Sequence, residues 1–511
     1  MLTNSPSTQA AREAAAAAIS AISKAQSEPL NQNGLAKSTF TQPGSATDGL
    51  QSYDLEAGAK FLVPVLTPLR NEIPRVSGKG GIQANWRAIT GINTSGVRIG
   101  VSVGNRNASQ AITYADYTAS YKGIGTETTL DFEAQYAAEG NFNEDMRARA
   151  ALTGLQSLML GEEPMILGGN SGALLSMGTT GTPSLSTATT GGTLTNQTWS
   201  VICVALSLDG VINGSVSGGI QASISRTNLD GSSDTFGGGA AQKSSNATQA
   251  TTGTTSTISA TVAAKTGAMG YAWFWGTAGS EVLGAITTIN SVLITAAATG
   301  TQTAASLPSA DWSANSLAFD GLLTQAFKSG SGAYLGVQAT GTAGTGTPLT
   351  SDGAGGVIEI DLALKSMWDN YRLTPDTIWV NSQEALNISK KIVAGSSNAA
   401  QRFVFNSVQD AIGGGIMVRT YLNRFSLSGA NTLDIRLHPN LPAGTILMTS
   451  KTIPYPLSGV GNVFQIRTRR DYYQIEWPLV SRKYQYGVYA DQVLQHYFPP
   501  SMAVISNIAN G

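Results

Sequence analysis

The sequence predicts an α+β protein with a β-sandwich inserted into its middle. Three observations lead to this prediction. Apolar residues recur at every third or fourth position in one long stretch, as in an amphipathic helix. Short β-prone runs separated by Gly and Asn turns precede that stretch. Residues 185–305 differ in composition from the rest, and a chain of 511 residues is long enough for about two to four domains.

The charge and composition of the chain argue against several classes of function. The 31 basic and 32 acidic residues give a formal net charge of −1, so no global basic field attracts nucleic acid or an anionic membrane. The single cysteine excludes an intrachain disulfide. No apolar run reaches the length of about 18 residues that a membrane span needs. No signal peptide is expected either, so we expect the chain to be made in the cytoplasm.

Residues 1–60 predict a mobile N-terminal arm. An alanine-rich stretch that favours a helix is followed by a linker rich in Pro, Gly and Asn, and we expect residues 1–60 to become ordered against a neighbouring molecule.

Residues 61–76, which we call the strap, alternate apolar residues with prolines. Prolines at this density argue against a helix or a central strand, so the sequence predicts an extended segment laid on a surface.

Residues 77–125 contain β-prone runs between Gly and Asn turns. This pattern predicts a long, two-stranded hairpin.

In residues 127–161 apolar residues recur at every third or fourth position, which predicts a long amphipathic helix. Glu162 and Glu163 lie near its end, where the helix dipole disfavours acidic side chains. Two interpretations of this pair stay open: solvated glutamates, or glutamates that face a basic partner.

Residues 185–305 predict the inserted β-sandwich. They contain few charged residues, and alternating apolar positions appear in short runs separated by turns. Trp199, Trp273 and Trp275 are expected to fill the core of the sandwich. Cys203 lies in one of these runs and is expected to pack as a small apolar residue.

The rest of the chain reverts to a mixed pattern. Residues 319–327 look helical, and residues 357–394 predict the order strand, helix, strand, helix, which indicates an α/β part over residues 306–430. From Gly413 onward the pattern is mainly that of strands.

No motif in the sequence predicts catalysis, a cofactor or a metal site. The run GGNSGA approaches a serine-hydrolase nucleophile elbow, but Ala173 stands where the closing glycine is needed, and a helix precedes it. Only His438 and His496 could complete a triad. Metal-ligand spacings and nucleotide-binding loops are not found. We therefore predict no catalytic, cofactor-binding or metal-binding residues.

The run RTRRD is the one concentrated basic site. Arg467, Arg469 and Arg470 are predicted, together with Glu162 and Glu163, to make contacts between subunits. A small nucleic-acid patch is the alternative interpretation of the arginines.

The order of these parts resembles the major capsid proteins of tailed bacteriophages with the Hong Kong 97-type fold. The resemblance covers nearly the whole chain and is carried by four stretches: FLVPVLTPLRNEIPRV, LQSLMLGEEPMILGGN, TPDTIWVNSQEALNISKKI and RTRRDYYQIEWPLVSRKYQYGVYADQVLQHYFPPSMAVISNI. It implies the following parts: an N-terminal arm (1–60), the strap (61–76), an extended loop over a neighbouring subunit (77–125), a peripheral domain with a spine helix (126–184 and 431–511), an immunoglobulin-like insertion (185–305) and an axial domain (306–430).

The resemblance also implies a function. The chain would be a structural protein that self-assembles into hexamers and pentamers of an icosahedral head, in which the inserted domain decorates the outer surface. The enclosed double-stranded DNA would be contacted non-specifically, no membrane would be involved, and the capsid would assemble in the bacterial host cytoplasm. A portal and a maturation protease would be further partners.

Two departures from the family pattern matter. No long charged, coiled-coil-like segment stands at the N-terminus, which implies a separate scaffolding protein. Lys79 lies in the loop where some members form a Lys–Asn crosslink, but no partner can be matched, so crosslinking is not predicted. The alternative function is a cell-surface adhesin or surface-layer protein that binds through the β-sandwich. Adhesins usually repeat such modules and carry export signals, whereas this sequence predicts neither.

Overall fold

The computed structural model describes residues 60–92, 100–107, 109, 111–142, 145–394, 418–426, 431–479 and 481–509. The predicted arm lies outside these residues, except for Lys60. Within them the chain is α+β, as predicted. The helices are α1 (Pro68–Glu72), α2 (Phe132–Phe142), α3 (Met146–Gly168), α4 (Leu208–Ile212), α5 (Leu322–Phe327), α6 (Ile358–Tyr371) and α7 (Ser382–Ala394), with short 3₁₀ turns at Ala304–Ser306 and Pro499–Ser501.

The strands of the described residues form six sheets. They are β1 (Arg75–Ser77), β2 (Gln83–Ile92), β3 (Ile112–Ser120), β4 (Lys122–Asp131), β5 (Ser184–Ala188), β6 (Thr198–Leu206), β7 (Ser223–Thr227), β8 (Ser233–Gly237), β9 (Ala247–Ala250), β10 (Thr257–Thr261), β11 (Gly270–Gly276), β12 (Val282–Thr287), β13 (Ser291–Ile294), β14 (Tyr334–Val337), β15 (Thr377–Val380), β16 (Thr420–Asn423), β17 (Asn431–Leu437), β18 (Ile446–Thr449), β19 (Phe464–Glu476), β20 (Lys483–His496) and β21 (Met502–Ser506).

A four-stranded sheet in the order β1-β19-β20-β4 supports the long helix α3. Leu158 of the helix packs with Ile124, Val488 and Ala490 of the sheet. Asp145 caps the helix, because its side chain accepts hydrogen bonds from the backbone N–H groups of Arg147 and Ala148.

The predicted helix over residues 127–161 is wrong at its start. Residues up to Asp131 belong to strand β4, which pairs antiparallel with β20 over ten residue pairs. The β-branched residues of this run fit a pleated, half-buried strand once a partner strand is present. The long helix begins only at Met146 and continues past Glu162 and Glu163 to Gly168.

The strap is only partly extended. Residues 60–67 have no regular secondary structure, Pro68 begins the short helix α1, and Arg75 begins strand β1. The expectation that prolines keep this segment from forming a helix is wrong at Pro68. Proline is favoured in the first turn, because the N–H that it lacks would have no partner inside the helix.

The predicted hairpin is confirmed. Strands β2 and β3 pair antiparallel from Gln83 with Ser120 to Ile92 with Ile112, and they form a sheet of two strands. The residues between the strands are only partly described.

The largest sheet of the described residues is mixed and has six strands in the order β14-β21-β18-β15-β17-β16. Its residues alternate between two cores. Ile378, Val380 and Met448 face a core shared with α6 and α7. Trp379 and Leu447 face a second core, which we call the central core. The central core also holds side chains of the strap, α3, α5, β19 and β20.

Two predictions about this region need correction. The first element of residues 357–394 was predicted to be a strand, but helix α6 begins at Ile358. A short apolar run does not by itself distinguish a strand from a buried helix. Residues from 431 onward were predicted to belong to the peripheral part, yet β17, β18 and β21 join the same six-stranded sheet as β15. The predicted helix at residues 319–327 is confirmed as α5.

Residues 184–294 contain two larger sheets, in the orders β13-β10-β5 and β12-β11-β6-β9. Side chains from both sheets meet in one hydrophobic cluster, which includes Trp199, Trp273 and Trp275 as predicted. Cys203 is fully buried in this cluster, and burial raises the pKa of its thiol. The opposite face of β6 and β11 is also covered, because Val204 and Phe274 belong to a second buried cluster.

Candidate functional site: the strap, the hairpin and a buried charge network

Helix α3 carries a buried pair of glutamates in its C-terminal part. Glu162 is 1% exposed and Glu163 is 0% exposed, so the interpretation of solvated side chains is wrong. A buried carboxylate requires several hydrogen bonds or a cation to offset its lost hydration. Both requirements are met within this chain, and the two glutamates bind different partners.

The carboxylate of Glu163 binds the start of helix α1. Its Oε1 accepts a hydrogen bond from the backbone N–H of Leu69, and its Oε2 accepts one from that of Arg70, both at 2.8 Å. These are N–H groups that have no partner inside the helix. His438 Nε2 lies 2.8 Å from Oε1, and His438 Nδ1 accepts from the backbone of Asn440, so Nε2 is the nitrogen that donates to Glu163.

The carboxylate of Glu162 binds the two arginines of the strap. Arg75 Nη1 lies 2.7 Å from Glu162 Oε1, and Arg70 Nε lies 3.2 Å from Oε2. Gln492 Nε2 donates to Oε1 at 2.7 Å, and the Tyr472 hydroxyl donates to Oε2. The Arg75 guanidinium also lies 4.3 Å from the centre of the Tyr472 ring. Burial, and then the Glu162 charge, raise the pKa of Tyr472.

This charge network connects three distant parts of the sequence: the strap, the end of α3, and the C-terminal residues from His438 to Gln492. Of the two interpretations left open for the glutamates, the basic partner is correct, but it lies in the same chain. The predicted contact of Glu162 and Glu163 with another subunit is therefore corrected, because buried carboxylates already bonded within the chain are not available to a neighbour. Sequence reasoning missed Arg70, Arg75, His438 and Tyr472, for which no local pattern existed.

The arginines of the RTRRD run lie on β19. Arg469 and Arg470 are exposed; Arg469 Nη2 lies 2.7 Å from Asp491 Oδ2, and the Arg470 guanidinium lies 3.9 Å from the centre of the Tyr473 ring. Arg467 is half-buried, and its Nη1 donates to Gln495 Oε1 at 3.4 Å. Contact of these arginines with another subunit stays a prediction.

The first part of the strap carries uncovered apolar side chains. Phe61, Leu62, Val63 and Leu66 are exposed, and Leu62 keeps 88% of its surface. Only from Thr67 onward does the strap become anchored, where Leu69 and Ile73 enter the central core. Consecutive exposed apolar residues of this kind mark an interaction surface.

The hairpin is anchored only at its base. Ala84 lies in the central core, and the Trp86 ring stacks on Tyr117 with 5.8 Å between ring centres. Farther out, Ile89 and Tyr114 stand opposite each other, 59% and 57% exposed. The ion pair of Arg87 with Asp116 is also exposed.

The GGNSGA run forms a connection between α3 and the segment that follows. The Ser171 hydroxyl lies within hydrogen-bond distance of both carboxylate oxygens of Asp320. Beyond it, Asp311 Oδ2 accepts hydrogen bonds from Ser176 Oγ and from the backbone of Gly178. These bonds bring the two ends of the 185–305 segment close together. This arrangement agrees with a segment that leaves the rest of the chain and rejoins it at the same place.

The described residues hold no group of three or more His, Cys, Asp or Glu side chains that could bind a metal ion. Among the helices of this described part, none has the length and apolar character that crossing a membrane requires.

No family model and no curated protein sequence matches the chain. Several solved capsid structures align with most of it. A chain of the capsid of the native GTA particle aligns at 9% identity over 92% of this chain and 100% of its own length, with a TM-score of 0.41. The capsid of Myoviridae phage XM1 aligns at 9% identity, over 90% and 97%, with a TM-score of 0.39. The cyanophage A-1(L) capsid aligns at 11% identity, over 90% and 97%, with a TM-score of 0.40.

Proposed function

We propose that the chain is the repeating subunit of a closed protein shell, a major capsid protein of the kind that tailed bacteriophages use. The observation that carries this proposal is the hairpin of β2 and β3. It consists of two strands only, and apolar residues such as Ile89 and Tyr114 are exposed on it. An isolated two-stranded sheet is marginally stable in water, so a neighbouring copy is the natural source of the missing contacts.

The strap supports the same assembly. Its apolar residues Phe61–Leu66 are uncovered up to the point where the charge network holds it. The strap and the hairpin differ in structure, since residues 60–67 have no regular secondary structure and the hairpin is a two-stranded sheet. Each would therefore contact a different surface of the next copy. Contacts of this heterologous kind, when the rotation closes, produce rings and shells. The exposed Arg469 and Arg470 are proposed to form ion pairs across such contacts.

The further parts of the proposal follow from the sequence resemblance. Copies form hexamers and pentamers of an icosahedral head around double-stranded DNA, with a separate scaffolding protein, a portal and a maturation protease as partners. The segment at residues 185–305 acts as an immunoglobulin-like β-sandwich on the outer surface. The two sheets with a shared core and the adjacent entry and exit of this segment support that role.

The test is electron microscopy of the purified full-length chain, with the particle mass measured by light scattering. We expect hexamers, pentamers or closed shells with outward knobs, alone or with a co-expressed scaffold. A monodisperse monomer that neither crowding nor a scaffold changes would overturn the proposal and favour the adhesin alternative.

A further inference from the structure

A pocket lies between helix α3 and helix α4 of the 185–305 segment, and we call it the α4 pocket. Its volume is about 290 Å³, close to the lower limit for sites that hold organic molecules. The walls come from the C-terminal part of α3, from α4, from strands β7 and β8, and from the loop before α5. The apolar side chains of the lining are Pro164, Met165, Ile212, Ile224, Phe236 and Ala318.

Asp209 gives this lining a negative charge. It is the one charged side chain among the described residues of the lining, whose other polar side chains are the amides of Asn213 and Asn315. The apolar surroundings raise the pKa of the Asp209 carboxyl to about 6, and neither a cation nor a hydrogen bond from the described residues opposes this shift. Asp209 is partly exposed and lines the pocket, so a ligand there can contact it.

The backbone around Asp209 is fixed by hydrogen bonds and close packing. The N–H of Ser207 donates to the carbonyl oxygen of Gly239 at 2.8 Å, which holds the start of α4. At the end of α4, the backbone N–H and the side-chain Nδ2 of Asn213 both donate to the carbonyl oxygen of Asp209 at 3.0 Å. A Cβ on Gly239 would stand 2.2 Å from the backbone nitrogen of Gly210, so the two backbones are in direct contact. A carboxylate on such a fixed element loses little conformational freedom when it binds a ligand.

A cation of the chain lies in the neighbouring cavity, but another carboxylate already binds it. Arg226 lines that cavity, which shares Met165 and Phe236 with the α4 pocket. Arg226 Nη2 lies 2.9 Å from Asp234 Oδ2, so Asp234 balances the charge of this arginine. The charge of Asp209 therefore has no counter-charge among the described residues.

We propose that the α4 pocket binds a small organic ammonium ion, a molecule with one protonated amine on an aliphatic or aromatic body. The ammonium group pairs with the Asp209 carboxylate, and the body packs between Ile212 and Phe236. A divalent metal ion requires about six oxygen ligands, which one carboxylate between apolar walls does not supply. A neutral molecule would leave the carboxylate without a counter-charge, and an anion would be repelled by it.

The test follows the binding of a fluorinated phenethylammonium ion to the purified full-length chain by fluorine NMR. At about pH 8 the amine is protonated and Asp209 is ionised. The alcohol of the same skeleton is the neutral comparison and should bind at least about tenfold more weakly. Asp209→Asn keeps the shape of the side chain and removes its charge, so it should weaken the ammonium ion at least about tenfold and leave the alcohol unchanged.

Two further variants separate the charge from the apolar wall. Phe236→Leu removes an aromatic wall of the pocket and should weaken the ammonium ion and the alcohol alike, by about threefold. Asp369→Asn removes an exposed carboxylate from helix α6, away from the pocket, and is the matched control that should change nothing. Asp209→Asn should fold at least as stably as the unaltered chain, because the amide has no charge to desolvate. Weaker binding by a variant with an undiminished melting temperature is then a loss of the site and not of the fold.

Three results would overturn the proposal: no binding of the ammonium ion to the unaltered chain, which would mean that the pocket holds only water; equal affinity for the ammonium ion and the alcohol; or unchanged affinity for the ammonium ion in either pocket variant. A chain that binds the ammonium ion but never forms shells would leave this site standing while the proposed function fails. The two outcomes are therefore separate.

Discussion

Asn290 and Asn507 bind each other through their amide groups, although they are 217 positions apart in sequence. Asn507 Oδ1 accepts from the backbone N–H of Asn290 at 2.8 Å, and Asn507 Nδ2 donates to Asn290 Oδ1 at 3.0 Å. Both residues are buried. Leu208 and Met269 of the same segment also enter the central core. The segment at residues 185–305 is thus docked on the rest of the chain, in addition to being joined to it at two ends.

We expect Asn507→Gly to loosen this docking. The backbone of Asn507 has a φ of +61°, which glycine adopts freely, so this variant removes only the side chain and its hydrogen bonds. Hydrogen exchange in the neighbouring strand β13 should become about tenfold faster, the equivalent of one or two buried hydrogen bonds. Asn507→Ala should cost about 1 kcal/mol more, because alanine is strained at this φ. Asn105→Gly, in an exposed loop, is the control; unchanged exchange in β13 of Asn507→Gly would contradict the docking role.

Replacing Glu163 by glutamine should destabilise the fold. The amide has one oxygen and a donor nitrogen, so it cannot accept from Leu69, Arg70 and His438 together. We expect a loss of about 3 kcal/mol in the free energy of unfolding, measured with urea. Glu476→Gln removes an exposed partner of Arg147 and should cost less than about 1 kcal/mol. Equal losses in the two variants would show that the buried network adds nothing beyond a surface ion pair.

Ile89→Lys should prevent assembly without unfolding the subunit. The side chain is 59% exposed in the single chain, so a lysine is tolerated there, but it would place a charge in the proposed contact. Circular dichroism and thermal melting should match the unaltered chain, while shells disappear from electron micrographs. Leu229→Lys, which is 55% exposed in the turn between β7 and β8, should still assemble. Normal shells from Ile89→Lys would remove the hairpin from the contact.

The stability of the chain should depend on Asp209 between about pH 4 and pH 6. Burial raises the pKa of this carboxyl from its ordinary 3.8 to about 6. In that interval the folded chain holds a proton that the unfolded chain has released, so stability falls as the pH rises. Asp209→Asn should therefore stabilise the fold by about 3 kcal/mol at pH 7 and by only about 0.5 kcal/mol at pH 4. Urea unfolding at both pH values measures this, and equal gains at both would contradict the assignment.

Local patterns predicted the elements whose geometry depends on neighbours in sequence. The Gly and Asn turns around β2 and β3 were sufficient for the hairpin, and the alternation around Trp273 was sufficient for a strand. Local sequence patterns failed where a partner that is distant in sequence determines whether a segment forms a helix or a strand. Residues 127–131 form a strand because β20 lies beside them. Helix α6, which begins at Ile358, forms because the six-stranded sheet covers the apolar face of the helix.

The sequence by itself determined the α+β class, the hairpin, the long helix ending near Glu162 and Glu163, and the position of the segment with different composition. Each of these depends on periodicity, turn residues or composition within a short window. Only the tertiary structure decided that both glutamates are buried, that Arg70, Arg75 and His438 bind them, and that Asn507 binds Asn290 of the segment at residues 185–305. Burial and pairing of charged groups depend on which distant residues meet, because the cost of removing a charge from water is offset only by partners that folding brings to it.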